Sequence, residues 1–215
     1  MTTRRSRIVL LIVLVALIAV MVARAWFSEP AAISSEASGE SLVREDSHVL
    51  SQAQAEEAVL VEFLDFECES CRAFYPTVEE LRAEFPDKLT VVMRYFPIPS
   101  HTNAQNAALA VEAASRQGQL EAMYKRMYAT QGEWGEAQES KAEVFRGFAS
   151  DLGLDLAQYD LDVADPTTLE RVKRDFDDGL ALGVSGTPTF FLDGEKVSAN
   201  SPDELRAAVE AALDR

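Results

Sequence analysis

VEFLDFECESCRAFYP, residues 61–76, contains both cysteines of a 215-residue chain. Cys68 and Cys71 stand three apart, with Glu67 before the pair and Glu69-Ser70 between them. A redox couple, half a metal site and two buried thiols are all compatible with such spacing, so the flanks decide. Upstream, AVLVEFLDF (58–66) is rich in Val, Leu and Phe and reads as a mostly buried strand, with Glu62 the intruder. Downstream, Phe74, Val78, Leu81 and Phe85 recur at helical spacing on one face. Pro76 falls inside that pattern and is expected to kink the helix. LTVVMRYFP (89–97) reads as a second buried strand. Strand, cysteine pair at a helix start, helix, strand describes a βαβ unit with parallel strands.

That placement has chemical consequences. Cys68 would end the loop and Cys71 would sit in the first helical turn. Unpaired N–H groups and the positive end of the helix dipole favour thiolate there. In such places a thiol pKa falls from about 8.5 into a range of roughly 3.5–7.5. Thiolate is the form that attacks disulfides, so Cys68 is the expected nucleophile and Cys71 the resolving thiol. Closing so small a ring stabilises a fold little, which argues for redox work over stapling. A zinc site needs four ligands, or three and an open position. Only His48 and His101 could join the cysteines, and His48 lies near a linker. No metal and no cofactor are expected. His101, in PIPSHTNAQN, reads as a helix-start residue, with a place along a substrate groove as the other option. His48 reads as an exposed polar residue, and Tyr128 and Trp134 as packing.

The chain begins MTTRRSR and continues IVLLIVLVALIAVMVA, residues 8–23, without a polar side chain. This is a little short of the roughly 20 residues that cross a bilayer. Arg24 can snorkel and Trp26 favours the interface, extending the usable span to about residue 27. Arg4, Arg5 and Arg7 predict a cytoplasmic N-terminus and an exported body. Ala23-Arg24-Ala25 also fits a signal-peptide cleavage site. The long apolar core favours an uncleaved anchor, so residues 1–27 are read as a cytoplasmic tip and transmembrane helix in the cell membrane. Residues 28–45 (SEPAAISSEASGESLVRE) cannot build a core and read as a flexible linker. Residues 46–215 suffice for one domain with its own core. After residue 28 the balance is −20, from 16 basic against 36 acidic side chains. Such a field excludes nucleic acid as a natural partner and otherwise serves solubility.

Within the body, residues 103–118, Leu120–Met127, 141–153 and a segment starting at Asp165-Pro166 read as helices, an insertion of about 103–180. Gly153 is expected as a C-cap. Asp165 is expected as an N-cap, with Leu169, Val172, Phe176 and Leu180 on the apolar face that follows. TFFLD and EKVS are short strands joined by a hairpin at Asp193-Gly194. Ser201-Pro202-Asp203-Glu204 opens a last helix with a capping box.

Taken together, these landmarks resemble the DsbA-type thioredoxin-fold thiol:disulfide oxidoreductases of bacteria, membrane-anchored or secreted. The resemblance covers about residues 45–215. It rests on VLVEFLDF, the CxxC at 68–71, Pro76 five residues after the second Cys, the helical insertion, and ALGVSGTPTFFLDG. It implies an α/β thioredoxin fold, a central mixed sheet flanked by helices, with an inserted α-helical subdomain behind the N-terminal transmembrane helix. It implies a cis peptide bond at Thr187-Pro188 facing the cysteines. Residue 187 would then offer its backbone to a substrate strand, and Gly186 would permit the close approach. It implies that Glu62 lies buried beneath the disulfide and shuttles protons to and from Cys71. Glu69 and Ser70 complete the expected substrate contacts. The substrates implied are exported cysteine-containing proteins, and the partner implied is a quinone-linked membrane protein that resets the pair.

One departure stands out. Many strong oxidases of this type carry His just before the second Cys, where this chain has Ser70. Glu67 and Glu69 oppose thiolate formation, so a less oxidising pair is expected. Oxidation of substrates is the leading expectation. Reduction or isomerisation by the same residues, and passive peptide binding by an anchored chaperone, are the competing ones.

Overall fold

The computed structural model describes residues 42–215. The expected transmembrane span and most of the expected linker lie outside the described residues. Five strands form one sheet: β1 (His48–Ser51), β2 (Ala58–Leu64), β3 (Leu89–Tyr95), β4 (Thr189–Leu192) and β5 (Glu195–Val197), in the order β1-β3-β2-β4-β5. β2 and β3 are parallel, joined through helix α1 (Glu69–Glu84), as the βαβ reading requires. The other three pairings are antiparallel, so the sheet is mixed. Asp193 and Gly194, both at positive φ, turn β4 into β5.

β2 is buried on both faces, and its alternation sorts the core. Leu60 and Leu64 join the larger cluster with Cys71, Phe74, Val78 and Leu81 of α1. Val61 and Phe63 join Val92, Phe96 and Phe191 on the opposite face. Glu62 has the parity of Leu60 and Leu64, so its carboxyl enters the larger core on the side of α1. Helix α7 (Pro202–Leu213) adds Leu205, Val209 and Ala212 to that core. Its N-cap Ser201 accepts from Glu204 N, as the sequence signalled.

The insertion holds five helices where four were expected: α2 (Ala104–Arg116), α3 (Leu120–Trp134), α4 (Ala142–Asp151), α5 (Leu156–Ala164) and α6 (Pro166–Ala181). The unforeseen α5 starts where the Asp155 carboxylate caps Gln158 N at 3.0 Å.

Helix α6 corrects a second expectation. Val172 is buried and Phe176 stacks on Phe96 as expected, but Leu169 and Leu180 are 41% and 52% exposed, while Arg171, Asp175 and Asp178 are buried. The reason lies on β3. Arg94 is fully buried and donates to Asp175 at 2.6 Å and to Asp178 at 2.5 Å. A charge in a core persists only when paired and hydrogen-bonded, so α6 turns its acids inward. Asp175 also accepts from Tyr95 N at 3.1 Å and pairs with Arg171 at 2.7 Å.

The same network holds the end of the stretch read as linker. Arg94 donates to Leu42 O at 2.6 Å, Arg44 to both Asp178 oxygens at 2.5 Å, and Arg171 to Asp46 O at 2.7 Å. Residues 42–45 are therefore docked on β3 and α6. His48 is another correction. It opens β1 half-buried, with Nε2 2.6 Å from Glu112 Oε2.

Candidate active site

Cys68 is the N-cap of α1, and Cys71 lies in its first turn. Extended backbone at Cys68 ends the loop from β2, and its N–H bonds back to Asp65 O at 3.2 Å. Gln131 of α3 pins this loop from the insertion, donating to Phe66 O at 2.7 Å and to Cys68 O at 2.9 Å. It is a residue the sequence reading missed. Its signal was a polar side chain on the apolar stripe Tyr124, Met127, Trp134.

The two thiols differ sharply. Cys68 is half-buried, and its pKa is lowered to about 5. The first cause is a hydrogen bond from the Cys71 side chain, followed by the Thr187 hydroxyl and the backbone N–H groups of Cys71 and Ser70, against the opposing cost of burial. Cys71 is fully buried, and burial pushes its thiol well above the usual range. Its hydrogen bond to Cys68 and the charge of Glu62 push the same way. Glu62 is buried beneath, and burial, then the Cys68 charge, raises its carboxyl to about 8. An acidic outer sulfur, a basic inner sulfur and a carboxylic acid that titrates near neutrality thus share one corner of the core.

Thr187-Pro188 is cis, and the Cys68 thiol donates to Thr187 O at 3.3 Å. The loop is braced by Thr189 Oγ1 donating to Gly186 O at 2.8 Å. Gly186 itself is not forced by crowding: a Cβ there would meet no atom within 4 Å. The close approach expected there is that of a substrate strand, for which the space beside Gly186 is open.

Glu69 and Ser70 line a pocket of about 140 Å³ with Glu67, Cys68, His101 and Glu136. His101 sits in the turn before α2, and its Nδ1 lies 2.7 Å from Oδ2 of buried Asp65. Glu67 is buried and accepts from Asn103 N at 2.6 Å. Asp65 and His101 were not singled out as a pair from the sequence, because 36 residues separate them.

A parallel βαβ unit with a CxxC at the helix start, facing a cis-proline loop across a mixed sheet, defines a thioredoxin-like protein. A family model described as Thioredoxin matches residues 44–211, and the chain belongs to that family. Among curated proteins it is similar to the Na(+)/H(+) antiporter NhaA of Herminiimonas arsenicoxydans, 34% identical over 73% of this chain and 24% of that protein. It is equally similar to NhaA 1 of Mycobacterium sp. (strain KMS), 34% identical over 80% of this chain and 27% of that protein. The chain spans about a quarter of the length of these relatives. Among solved structures, a thioredoxin-like oxidoreductase from Silicibacter pomeroyi DSS-3 is 25% identical, with TM-score 0.67 over 81% of this chain and 96% of that one. BdbD from Bacillus subtilis shares the fold at 17% identity and TM-score 0.67, covering 79% and 94%. Alpha-DsbA1 of Wolbachia pipientis shares it at 16% and 0.68, covering 80% and 92%.

Proposed function

We propose that this protein is an extracytoplasmic thiol:disulfide oxidoreductase of the DsbA type that oxidises exported proteins. The observation that carries the reading is the Cys68–Cys71 pair at the N-terminus of α1, its outer thiol half-buried beside the Thr187 carbonyl and acidic, its inner thiol buried above Glu62. The structural neighbours, a thioredoxin-like oxidoreductase and an alpha-DsbA1, support it.

In the working cycle a substrate thiol attacks Cys68 Sγ of the Cys68–Cys71 disulfide. The S–S bond breaks, and Cys71 leaves with the electron pair. Glu62 supplies the proton that the buried thiolate needs. A second substrate thiol then attacks the substrate sulfur of the mixed disulfide. Cys68 leaves readily because its thiolate is stabilised, and the product departs with a new disulfide. Thr187 lends its backbone to the substrate strand, in the open space left at Gly186, while Glu69 and Ser70 border the entering sulfur. A membrane acceptor restores the disulfide, and residues 8–27 hold the domain at the membrane.

Substitution C71A in the full-length chain tests the reading. The variant is expected to accumulate mixed disulfides between Cys68 and exported cysteine proteins, resolved by reductant on a non-reducing gel. In the same cells the wild-type pair should be isolated mainly oxidised. A reduced pair with trapped substrates assigns the reductase direction. No trapped substrate in C71A removes the redox reading in favour of passive binding.

A further inference from the structure

The dipeptide between the cysteines contains no histidine, yet a histidine from a distant turn lines the pocket in front of Cys68. His101 is one-third exposed, and its Nδ1 is engaged by Asp65. Asp65 is itself held, with Oδ1 accepting from Glu67 N at 2.8 Å and Oδ2 from Ile98 N at 2.9 Å. A carboxylate so anchored orients the ring and accepts from Nδ1–H, leaving Nε2 with a free lone pair. Cys71 is buried behind Cys68, so an attacking sulfur enters from the open side, where this pocket lies.

We propose that His101, oriented by Asp65, takes the proton of the substrate thiol as that thiol attacks Cys68. This rests on the exchange reaction proposed above and adds a group that acts on the substrate. The balance closes within that reaction. The substrate S–H bond breaks and its proton goes to Nε2 of His101. The substrate sulfur bonds to Cys68 Sγ, the Cys68–Cys71 bond breaks, and the electron pair goes to Cys71, protonated by Glu62. When the second substrate thiol has reacted, the imidazolium returns its proton to solvent through the pocket mouth.

The need is clear from numbers. An ordinary thiol with a pKa of about 8.5 is only a few per cent thiolate at neutral pH. Asp65, from the loop before α1, bonds the ring, which shares the pocket before Cys68 with Glu67 of that loop, Glu69 at the start of α1 and Glu136 after α3, and a second pocket with Lys173 of α6. The imidazolium formed in the step is therefore met mostly by carboxylates. Asp65 is a positioning residue and His101 the group that meets the substrate.

The test uses the oxidised full-length chain and a single-cysteine peptide, with mixed-disulfide formation followed from pH 5.5 to 8.5. H101Q is expected to be about 100-fold slower near pH 7. Its rate should track the peptide's thiolate fraction with unit slope, whereas the wild-type rate should rise less steeply with pH. Added imidazole should accelerate H101A with saturation. Alkylation of reduced Cys68 should be the same in all three proteins. Superimposable pH profiles for H101Q and wild type overturn the inference and leave the exchange function standing. An H101Q defect matched by an equal defect in Cys68 alkylation also overturns it, because the ring would then act on the protein's own thiol. A wild-type chain that never reacts with the peptide overturns both readings.

Discussion

The Cys68 sulfur lies 3.3 Å from the carbonyl oxygen of Thr187, a residue 119 positions away. As a thiol, Cys68 donates to that oxygen. As a thiolate it has no proton to give, and the Thr187 hydroxyl becomes the donor. That hydroxyl is buried and has no hydrogen-bond partner of its own, so it is available to donate to the thiolate and to lower the Cys68 pKa. The substitution T187V keeps the shape and removes the donor. A hydrogen bond to a charged group is worth about 1.5 kcal/mol, or about one pH unit. The pH midpoint of iodoacetamide alkylation of Cys68, expected near 5 from its lowered pKa, should shift upward by about that amount. An unmoved midpoint would assign the acidity to Cys71 and the helix N-terminus alone.

Glu62 and Cys68 bend the stability of the reduced protein in opposite directions. Glu62 is raised from 4.5 to about 8. Between those values the folded chain holds a proton that the unfolded chain has lost, so stability falls with rising pH, by up to roughly 1.4 kcal/mol per unit. Cys68 is lowered from 9.0 to about 5. There the unfolded chain holds the extra proton, so stability rises with pH, less steeply because water screens the half-buried sulfur. Over about pH 5–8 the two slopes oppose each other. E62Q removes the falling one. Urea midpoints of reduced E62Q are expected to climb across pH 5.5–7.5, while those of the wild type stay flat or fall. Parallel slopes in the two proteins would mean that Glu62 keeps an ordinary pKa. The same substitution should slow resolution of the mixed disulfide at Cys71, by about 10- to 100-fold if proton transfer limits that step.

The parts of this structure that were legible in the sequence are those set by local rules. Hydrophobic runs identified β2 and β3, and the βαβ reading gave them a parallel pairing. Caps at Asp165 and Ser201 marked where α6 and α7 begin. The cysteine pair fell at the start of a helix because a strand ends just before it. What escaped was set by partners far apart in the chain. The four-residue β1 has no hydrophobic pattern of its own and exists because it pairs with β3. On helix α6, Val172 and Phe176 face the core as read, but Leu169 and Leu180, which look like part of the same face, are exposed. Nothing local announces that Arg94 will be buried and will draw Asp175 and Asp178 inward. Asp65 and His101 escaped for the same reason, since a hydrogen bond across 36 residues leaves no spacing to read.

The buried ion network yields a stability prediction. Asp175 meets Arg94, Arg171 and Tyr95 N from a fully buried position. D175N leaves the Arg94 guanidinium without half of its compensation, and breaking a buried pair costs about 3–5 kcal/mol. Denaturant unfolding is expected to show a loss in that range. Because the network also docks residues 42–46, D175N should speed tryptic cleavage after Arg44 under native conditions. A loss below about 1 kcal/mol would mean that the remaining partners of Arg94 suffice.

Gly179 sets how closely α6 approaches the sheet. A Cβ at this position would fall 2.7 Å from Phe96 Cδ2 and 3.1 Å from Phe63 Cδ1. Neither ring yields easily: Phe96 stacks on Phe176 at 4.5 Å and meets Phe63 edge-on at 6.4 Å. Alanine is worth about 1 kcal/mol over glycine in a helix interior, but overpacking a core costs about 1–3 kcal/mol. Here the clash is with ring carbons held on both sides, so overpacking should win and G179A should be less stable. Phe96 also leads into the turn that carries Ile98 and His101, so a displaced ring would loosen the Asp65–His101 contact. F96L makes room for the added methyl. In a double-mutant cycle, G179A is expected to cost clearly less in the F96L background than alone, since contacting residues couple by about 0.5–3 kcal/mol. Additive effects would show that the helix moves instead of the ring, and that the approach of α6 to the sheet is not set at this glycine.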